Sequence, residues 1–483
     1  MDNTGYTPEE PIAAVATALA PAALGIIRVS GKNSIQLLSK IFSRPKALSS
    51  AAGNTIVYGW IVEPQNAAAR DCVPDQNAAR VDEVLVSVFR APKSFTGEEM
   101  AEVSCHGGTA VVTKIFNLLL QNGFRQAERG EFTFRAFING KADLTKAEAV
   151  REIIESRTGA SSQKAAGRLA GNLSQEIERV QKSLIDTLAQ IEVEIEYPED
   201  EETIADAYDQ TKLLEAIAAL ERLAHTWKSE KLYQEGARLV LCGKTNAGKS
   251  SLFNCLLKEE RAIVSDIEGT TRDWIESWIS LDGIPARLFD TAGLRSTSDE
   301  IEARGVESAK ELSDEADLLL YLADVTLPKD QIDLAFLAER KEPVIFVWNK
   351  LDKVSQDQKA AISEAQKFYE AASQKIPALS GQVFVSAKNG GGVKDLVAMA
   401  KALLLKGQET ERSQAGLGSE RQKRLVESAL ESLRHAASLQ KGYSLDAAVQ
   451  DIEDALDFLG ELTGRVTADD ILDSVFSNFC VGK

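Results

Sequence analysis

One glycine-rich stretch has the residue types and spacing of a phosphate-binding loop. Residues 243–250 read GKTNAGKS, after the apolar run 239–242 and before a helix-like segment at 251–257. Glycines let the backbone curl so that successive N–H groups point at phosphate oxygens, and the helix start adds its positive dipole end. In this pattern Lys249 reaches the β- and γ-phosphates and the Ser250 hydroxyl ligates Mg²⁺. The alternative is a glycine-rich turn that matches by chance, which the flanking strand and helix disfavour.

Two metal-facing segments follow this loop. Residues 269–273 read GTTRD, where a switch loop would place Thr271 as a second Mg²⁺ ligand. A β-hairpin predicted over residues 274–289 leads to Asp290 of the sequence DTAG. There the carboxylate would face Mg²⁺ through water, and the N–H of Gly293 would sense the γ-phosphate.

Two later segments could form a base pocket. Residues 349–352 read NKLD after the apolar strand 344–348, and residues 386–388 read SAK after another strand. The Asp352 carboxylate can accept from the N1–H and exocyclic amine of guanine, donors that adenine lacks at those positions. Any one of the five segments alone could be a turn, but all five in this order predict a guanine-nucleotide site.

The nucleotide contacts predicted from these segments involve many residues. They are Asn246, Ala247, Gly248, Lys249, Ser250, Ser251, Ser265, Asp266, Ile267, Glu268, Gly269, Thr270, Thr271, Asp290, Thr291, Ala292, Gly293, Asn349, Lys350, Leu351, Asp352, Ser386, Ala387 and Lys388.

The group that positions water is not the usual one. Leu294 follows the DTAG sequence, where a Ras-like protein places a water-orienting Gln. The acidic segment 299–302 is the nearest substitute. No arginine finger can be assigned by motif, and a bound monovalent cation could take its place, with the Asn246 carbonyl as a neutral ligand.

Length and composition limit the remaining possibilities. At 483 residues the chain is too long for one ordinary core, so we expect about two to four domains. Its apolar content of 44% and charged content of 27% are typical of a soluble globular protein. Neither a membrane span nor a signal peptide is expected. Five scattered cysteines without CxxC spacing predict a cytoplasmic protein without structural zinc.

The net charge of −18 argues against wide, non-specific adhesion to nucleic acid. That affinity comes largely from Lys and Arg side chains that neutralise phosphates. A polynucleotide would therefore have to bind a local basic patch. One modestly basic stretch contains Arg125, Arg129, Arg135, Lys141 and Lys146.

Periodicity predicts a multidomain architecture. Residues 1–140 alternate short apolar strands with helix-like segments, which predicts an α+β domain. Residues 141–233 have apolar side chains at helical spacing, residues 234–406 return to strands and glycine loops, and residues 407–483 become helical again. The simplest interpretation is an all-α domain built from two chain segments, with a Ras-like α/β P-loop domain inserted between them.

Short motifs outside the inserted segment carry a family resemblance. They are GIIRVSG at 25–31, SFTGE at 94–98, HGG at 106–108, RGEFT at 129–133, RAFINGK at 135–141 and FCVGK at 479–483. Together with the inserted domain, they make the chain resemble the MnmE (TrmE) family of tRNA-modification GTPases throughout its length.

The resemblance implies a homodimer joined through the N-terminal domains. It also implies that a reduced folate, 5-formyltetrahydrofolate or a methylene relative, binds near their interface. By motif, Arg28, Glu102, Lys141 and Lys483 would contact it. Basic side chains suit the glutamyl carboxylates of a folate, and Glu102 suits its aminopyrimidine donors.

The resemblance further implies that GTP and K⁺ bring two GTPase domains together. The potassium-loop positions would be Asn246, Ser265, Ile267 and Thr270. Glu302 would orient water as a catalytic residue beside Thr271 and Lys249, and Arg295 belongs to the same switch. The family acts with the FAD-dependent partner MnmG to install an aminomethyl-type group, carboxymethylaminomethyl, on carbon 5 of the wobble uridine of certain tRNAs.

Some features leave alternatives open. The segment 17–24 is alanine-rich where the family usually has glycines, and Glu268 is an unusual choice in the potassium loop. His106 is either a site residue or a hydrogen-bonded structural histidine. Cys480 either joins one-carbon chemistry near the folate or is an unreactive buried thiol.

A competing interpretation is a ribosome-assembly or RNA-binding GTPase of the Era type, which acts as a switch and modifies nothing. The lack of a recognisable RNA-binding module and the net charge disfavour it.

Overall fold

The chain folds around two separate β-sheets. The structure is a computed structural model that describes residues 10–63, 79–196, 210–259, 275–290, 314–327, 332–354, 359–406, 415–439, 445–466 and 469–482. The chain divides into a first unit, Met1–Arg151 with Asp457–Lys483, and a second unit, Glu152–Leu456. Within the described ranges, no helix is both long and apolar enough to cross a membrane.

The first unit contains a six-stranded sheet. In spatial order its strands are β3 (Thr55–Val62), β4 (Arg80–Phe89), β5 (Met100–Gly107), β2 (Ala22–Ser30), β1 (Ile12–Val15) and β6 (Arg125–Gln126). Neighbours are antiparallel except β1 and β6. The β4 side chains Val84, Val86 and Val88 are buried and their neighbours are not, as expected for a strand with one face on a core.

Helices complete the first unit. They are α1 (Ser34–Ser39), α2 (Pro45–Ser49), α3 (Thr109–Gln121), α4 (Glu131–Ile138) and α15 (Asp469–Phe476). The ring of Phe476 lies 5.3 Å from that of Phe134 and 5.5 Å from that of Phe479, measured between centroids. These contacts bury Phe476 and Phe479 beside α4. Two helices, α5 (Leu144–Glu155) and α14 (Leu445–Thr463), cross the division between the units.

The second unit contains a mostly parallel sheet. In spatial order its strands are β12 (Leu379–Phe384), β11 (Val344–Asn349), β10 (Leu318–Asp324), β7 (Ala237–Cys242), β9 (Ile284–Asp290) and the antiparallel β8 (Ile275–Leu281). Every residue of β11 is buried, because a parallel strand is covered on both faces. The turn between β8 and β9 has positive φ at Asp282 and Gly283, the geometry of a two-residue hairpin.

Helices surround this sheet and extend from it. They are α6 (Gly159–Leu169), α7 (Asn172–Glu196), α8 (Gln210–Glu235), α9 (Lys249–Glu259), α10 (Leu334–Ala338), α11 (Lys359–Ser373), α12 (Val393–Leu405) and α13 (Glu420–Ser438). A buried ionic network holds α6 against α8, in which Arg168 donates to Glu152 and Glu230, each at 2.8 Å.

The predicted fold class is confirmed: an α+β N-terminal part, helices from two chain segments and a P-loop α/β fold are all present. The predicted domain boundaries stay a prediction.

Candidate functional site

The phosphate loop joins β7 to α9. Gly243 has φ of 129° and Gly248 has φ of 95°, values that favour glycine. A Cβ at Gly243 would lie 2.3 Å from the Leu322 carbonyl oxygen, so the loop also needs glycine for close backbone approach. The Lys249 Nζ donates to the Gly243 carbonyl oxygen at 2.7 Å, which holds its side chain over the loop.

The Asn349 side chain connects three of the predicted segments. Its Nδ2 donates to the carbonyl oxygen of Ala247 at 2.9 Å. Its Oδ1 accepts from the backbone N–H of Lys350 at 2.8 Å and of Ala387 at 3.1 Å. The side chain is buried, so these bonds exchange little with water. One amide therefore ties the phosphate loop, the NKLD segment and the SAK segment together.

Asp352 lines a cavity that Asn349 also lines. The cavity has a volume of about 570 Å³, and Asp352, Lys388 and Gly248 are among its lining residues. The Ser386 hydroxyl donates to Asp352 Oδ1 at 2.7 Å. This bond is the main cause that lowers the pKa of Asp352, so the carboxylate stays ionised and ready to accept from a base.

Lys350 is positioned by an acid that the motifs do not include. It has φ of 65°, and its Nζ lies 2.8 Å from Asp324 Oδ2 at the end of β10. Burial alone would raise the pKa of Asp324, but hydrogen bonds from Lys350 and Thr326 lower it. The register pairs Asp324 with Asn349, so two neighbouring strand ends carry polar side chains to one edge of the sheet.

The remaining described nucleotide residues lie at the carboxyl ends of the same strands. Asn246, Ser250 and Ser251 are exposed on the loop and the first turn of α9. Leu351 donates its N–H to the Val385 carbonyl oxygen at 3.1 Å. Asp290 ends β9 and is 2% exposed.

Many switch residues lie outside the described residues. They are Ser265, Asp266, Ile267, Glu268, Gly269, Thr270, Thr271, Thr291, Ala292, Gly293, Arg295 and Glu302, and Lys483 is likewise outside. The roles predicted for them stay predictions.

In the first unit, Arg28 and Glu102 are directly opposite each other on β2 and β5. Arg28 Nη2 lies 2.7 Å from Glu102 Oε1, and Arg28 Nη1 donates to the Gly482 carbonyl oxygen at 3.2 Å. The rings of Phe95 and Phe132 flank the same guanidinium at 5.6 and 5.7 Å. The structure thus brings Arg28 and Glu102, two of the four predicted folate residues, together with Gly482.

The structure also shows the surroundings of Lys141 and of His106 and Cys480, the two side chains whose roles the sequence left open. Lys141 Nζ donates to the Pro92 carbonyl oxygen at 3.0 Å. His106 Nδ1 lies 2.7 Å from Asp82 Oδ1, with its imidazole largely exposed. The Cys480 thiol is free and exposed, which the alternative of a buried thiol did not anticipate.

The basic stretch is not an open patch. Arg135 is fully buried, with Nη2 donating to Glu131 Oε1 at 2.8 Å and Nη1 to Glu98 Oε2 at 3.0 Å. Arg125 Nη2 donates to the same Glu131 oxygen at 2.7 Å. Carboxylates therefore already neutralise Arg125 and Arg135 of the basic stretch.

Comparison with known proteins supports the family resemblance that the sequence motifs predict. The family "MnmE helical domain" matches residues 144–480, and "GTP-binding protein TrmE N-terminus" matches residues 11–141. The tRNA modification GTPase MnmE of Treponema denticola is 51% identical, with 99% of each chain covered. The protein of that name from Carboxydothermus hydrogenoformans is 40% identical, with 98% of this chain and 100% of its own covered.

The chain belongs to the MnmE family of tRNA modification GTPases. A solved structure of Era from Aquifex aeolicus bound to GDP and AlF₄⁻ is also similar, at 23% identity with 43% of this chain and 68% of that chain covered. The TM-score of this match is 0.27.

Sequence analysis did not identify two residues that position other side chains: Asp324, which pairs with Lys350, and Glu131, which pairs with Arg125 and Arg135 in the first unit. Asp324 follows an apolar strand run, a position that could have suggested a role at the sheet edge. Glu131 lies in the RGEFT motif four residues before Arg135, a helical spacing that could have suggested their ion pair. Its contact with Arg125 is not revealed by motif spacing.

Proposed function

We propose that this chain hydrolyses GTP during modification of tRNA. The main support is the set of hydrogen bonds made by the Asn349 side chain, because they hold the phosphate loop and both base-reading segments around one cavity. Family membership over the whole chain supports the tRNA part.

Each side chain of the site has a distinct task. Lys249 binds the β- and γ-phosphates, Asp352 selects guanine, and the Ser250 hydroxyl with Thr271 would hold Mg²⁺. Ser250 fits this role because it is exposed on the first helical turn beside the phosphate loop. Mg²⁺ supplies charge neutralisation between the phosphates when bound. Glu302 orients the attacking water.

Potassium and dimerisation belong to the same proposal. Asn246 is exposed on the phosphate loop, so its side-chain oxygen is accessible as a neutral ligand. Ser265, Ile267 and Thr270 would complete the K⁺ site between two GTPase domains. Hydrolysis should accordingly be faster in KCl than in NaCl, and equal rates in the two salts would contradict this part.

A reduced folate would bind the first unit. Arg28 offers a cation, and the Glu102 carboxylate beside it offers an acceptor. The rings of Phe95 and Phe132 near the guanidinium offer stacking surfaces. Lys141 and Lys483 would contact its glutamyl tail. When bound, the folate supplies a one-carbon unit, and these residues hold and orient it. Titration with 5-formyltetrahydrofolate tests this, and Arg28→Ala should abolish the binding heat.

The full reaction needs partners. In this proposal the chain forms a homodimer, joins the FAD protein MnmG in a heterotetramer and acts in the cytoplasm on carbon 5 of the wobble uridine. Nucleoside analysis of tRNA from a deletion strain tests it. Loss of the carboxymethylaminomethyl-type nucleoside is expected, and unchanged wobble uridines would favour a binding switch instead.

Glu302→Ala tests the catalytic assignment directly. It should reduce hydrolysis by about 10²-fold or more, because it removes a group that acts in the transition state. GTP affinity should stay near normal when titrated by calorimetry. Glu300→Ala, in the same acidic segment, is the matched control and should keep near-normal hydrolysis. Equal loss of GTP binding in Glu302→Ala would refute the role.

A further inference from the structure

A second cavity lies in the second unit, away from the nucleotide pocket. Its volume is about 1290 Å³, and it shares no lining residue with the cavity beside Asp352. Its walls come from α8, the end of α12, the β8–β9 hairpin and the segment that precedes α6. It is therefore a separate site.

Basic side chains outnumber acidic ones in this cavity, six to four. Three of the basic groups have acidic neighbours within ion-pairing distance, Lys231 with Glu235, Arg238 with Glu315 and Arg287 with Glu276. Among the described residues, no carboxylate forms an ion pair with Arg157, Lys228 or Lys406. Glu155 and Glu276 near Arg157, and Asp317 near Lys228, offset part of this charge. The lining nevertheless keeps more basic than acidic groups, in a chain with a net charge of −18.

Like charges approach one another here. The Lys228 ammonium lies close to that of Lys406, and the proximity of this like charge lowers the pKa of Lys228. Arg157 stacks on Trp278 with its guanidinium carbon 4.0 Å from the ring centroid, and Arg287 lies 4.7 Å from it. Burial, and then repulsion by Arg287, lower the pKa of Arg157. An anion among these groups would relieve both repulsions.

A polar donor in the same cavity also has no acceptor. Gln234 lines the cavity, and its Nε2 is buried without a hydrogen-bond partner in the described structure. An unpaired buried donor is destabilising, and native proteins generally supply a partner for it. Both the charge and the amide therefore favour a ligand with acceptor oxygens.

We propose that this cleft binds phosphate groups of an RNA backbone through Arg157, Lys228 and Lys406. Small-molecule pockets are usually about 300–1,000 Å³, and the larger volume fits an extended polymer better. Contacts from Lys and Arg to phosphates position a nucleic acid without reading its sequence. The RNA assignment rests on the proposed function, in which tRNA is the substrate. The cleft supplies the local basic patch that the acidic chain requires.

The test uses the full chain and a fluorescein-labelled, unmodified tRNA transcript. Lys228→Gln/Lys406→Gln should weaken binding about tenfold at low salt. It should also make the plot of log affinity against log salt less steep by about 1 to 2, because two phosphate contacts are lost. Lys228→Arg/Lys406→Arg should restore binding. Both lysines are exposed, so folding should be unaffected, and an unchanged GTP hydrolysis rate verifies it.

The matched control is Lys367→Gln/Lys375→Gln, which removes the same charge from exposed positions outside the cleft. It should bind tRNA within about twofold of the unmodified chain. Equal weakening in the control, or wild-type affinity in Lys228→Gln/Lys406→Gln, would overturn the proposal. Titration with inorganic pyrophosphate distinguishes an RNA backbone from a free phosphate compound as the ligand of the cleft. If only Lys228→Gln/Lys406→Gln lost pyrophosphate binding, and its tRNA affinity were unchanged, the cleft would be assigned to a free phosphate compound and the RNA assignment would be overturned. Absent GTP hydrolysis would instead refute the proposed function.

Discussion

At the scale of single residues, two side chains have different roles in the base pocket. Asn349 builds the pocket, because its amide satisfies donors and acceptors of three segments. Asp352 reads the ligand, because Ser386 holds its exposed carboxylate in place. Structure and specificity are therefore separated between neighbouring positions of one motif.

Asp352→Asn tests the reading role. GDP affinity should fall by roughly 10²-fold, because the site's donors and acceptors no longer match guanine. Xanthosine diphosphate should bind instead, since the new amide can donate to the xanthine carbonyl. Fluorescence titration with both nucleotides measures the switch. Ser386→Ala keeps the carboxylate and should keep the guanine preference, and an unaltered preference in Asp352→Asn would show that the pocket is elsewhere.

Glu131 gives the first unit a pH dependence. Burial alone would raise its pKa, but hydrogen bonds from Arg125, the Glu128 backbone and Arg135 lower it from its ordinary value of 4.5. The ionised form therefore stabilises the fold above that ordinary value, and the contribution is lost as the pH falls through the lowered pKa.

Glu131→Gln should cost about 3 kcal/mol at pH 7, because two buried or partly buried arginines lose their carboxylate. The loss should be smaller at pH 3, where the native carboxyl is more protonated. Urea unfolding read from amide exchange in β1 and β2 measures both. The exposed neighbour Glu128→Gln is the control, and an equal loss at the two pH values would contradict the assignment.

At the scale of elements, α6 links helices to the P-loop sheet within the second unit. Thr158 caps α6 by accepting from the Ser161 N–H at 3.2 Å, and its hydroxyl also contacts the Gly283 carbonyl oxygen at 2.7 Å. Gly283 lies in the β8–β9 turn, and β9 ends at Asp290. The cap of one helix is thus also a contact with the hairpin that leads into the nucleotide site.

Thr158→Ala should loosen both elements. Loss of the cap costs about 1 kcal/mol, which corresponds to roughly fivefold faster local amide exchange. Hydrogen–deuterium exchange of peptides from α6 and the β8–β9 turn is the measurement. Thr158→Ser retains the hydroxyl and should exchange like the unmodified chain. Faster exchange confined to α6 would show that the contact with Gly283 is not stabilising.

At the scale of the whole molecule, residues 479–482 contact segments of the first unit that lie far away in the sequence. Phe479 is buried beside Phe476, Val481 forms a strand bridge with Arg129, and the Gly482 carbonyl oxygen accepts from Arg28. The last residues therefore complete both the core and the polar surroundings of Arg28.

Removal of residues 479–483 should lower the thermal midpoint of the first unit. A buried Phe contributes about 3 kcal/mol, which corresponds to roughly 6–12 °C for a unit of this size. Calorimetric scans of the full and shortened chains provide the comparison. Removal of Lys483 alone is the control and should have little effect. A midpoint unchanged by the longer deletion would mean that these contacts add nothing to stability.

The sequence by itself determined the nucleotide chemistry and the fold class of this protein. Phosphate loops, strand–turn punctuation and a guanine-reading carboxylate depend on residue type and short spacing, which a linear sequence displays directly. Only the tertiary structure decided that Asn349 bonds to Ala247, that Lys350 pairs with Asp324, and that Glu131 pairs with Arg125. It also brought Lys228 and Lys406 together from distant segments. Hydrogen bonds and ion pairs of this kind depend on which side chains packing places face to face, and local periodicity carries no information about that.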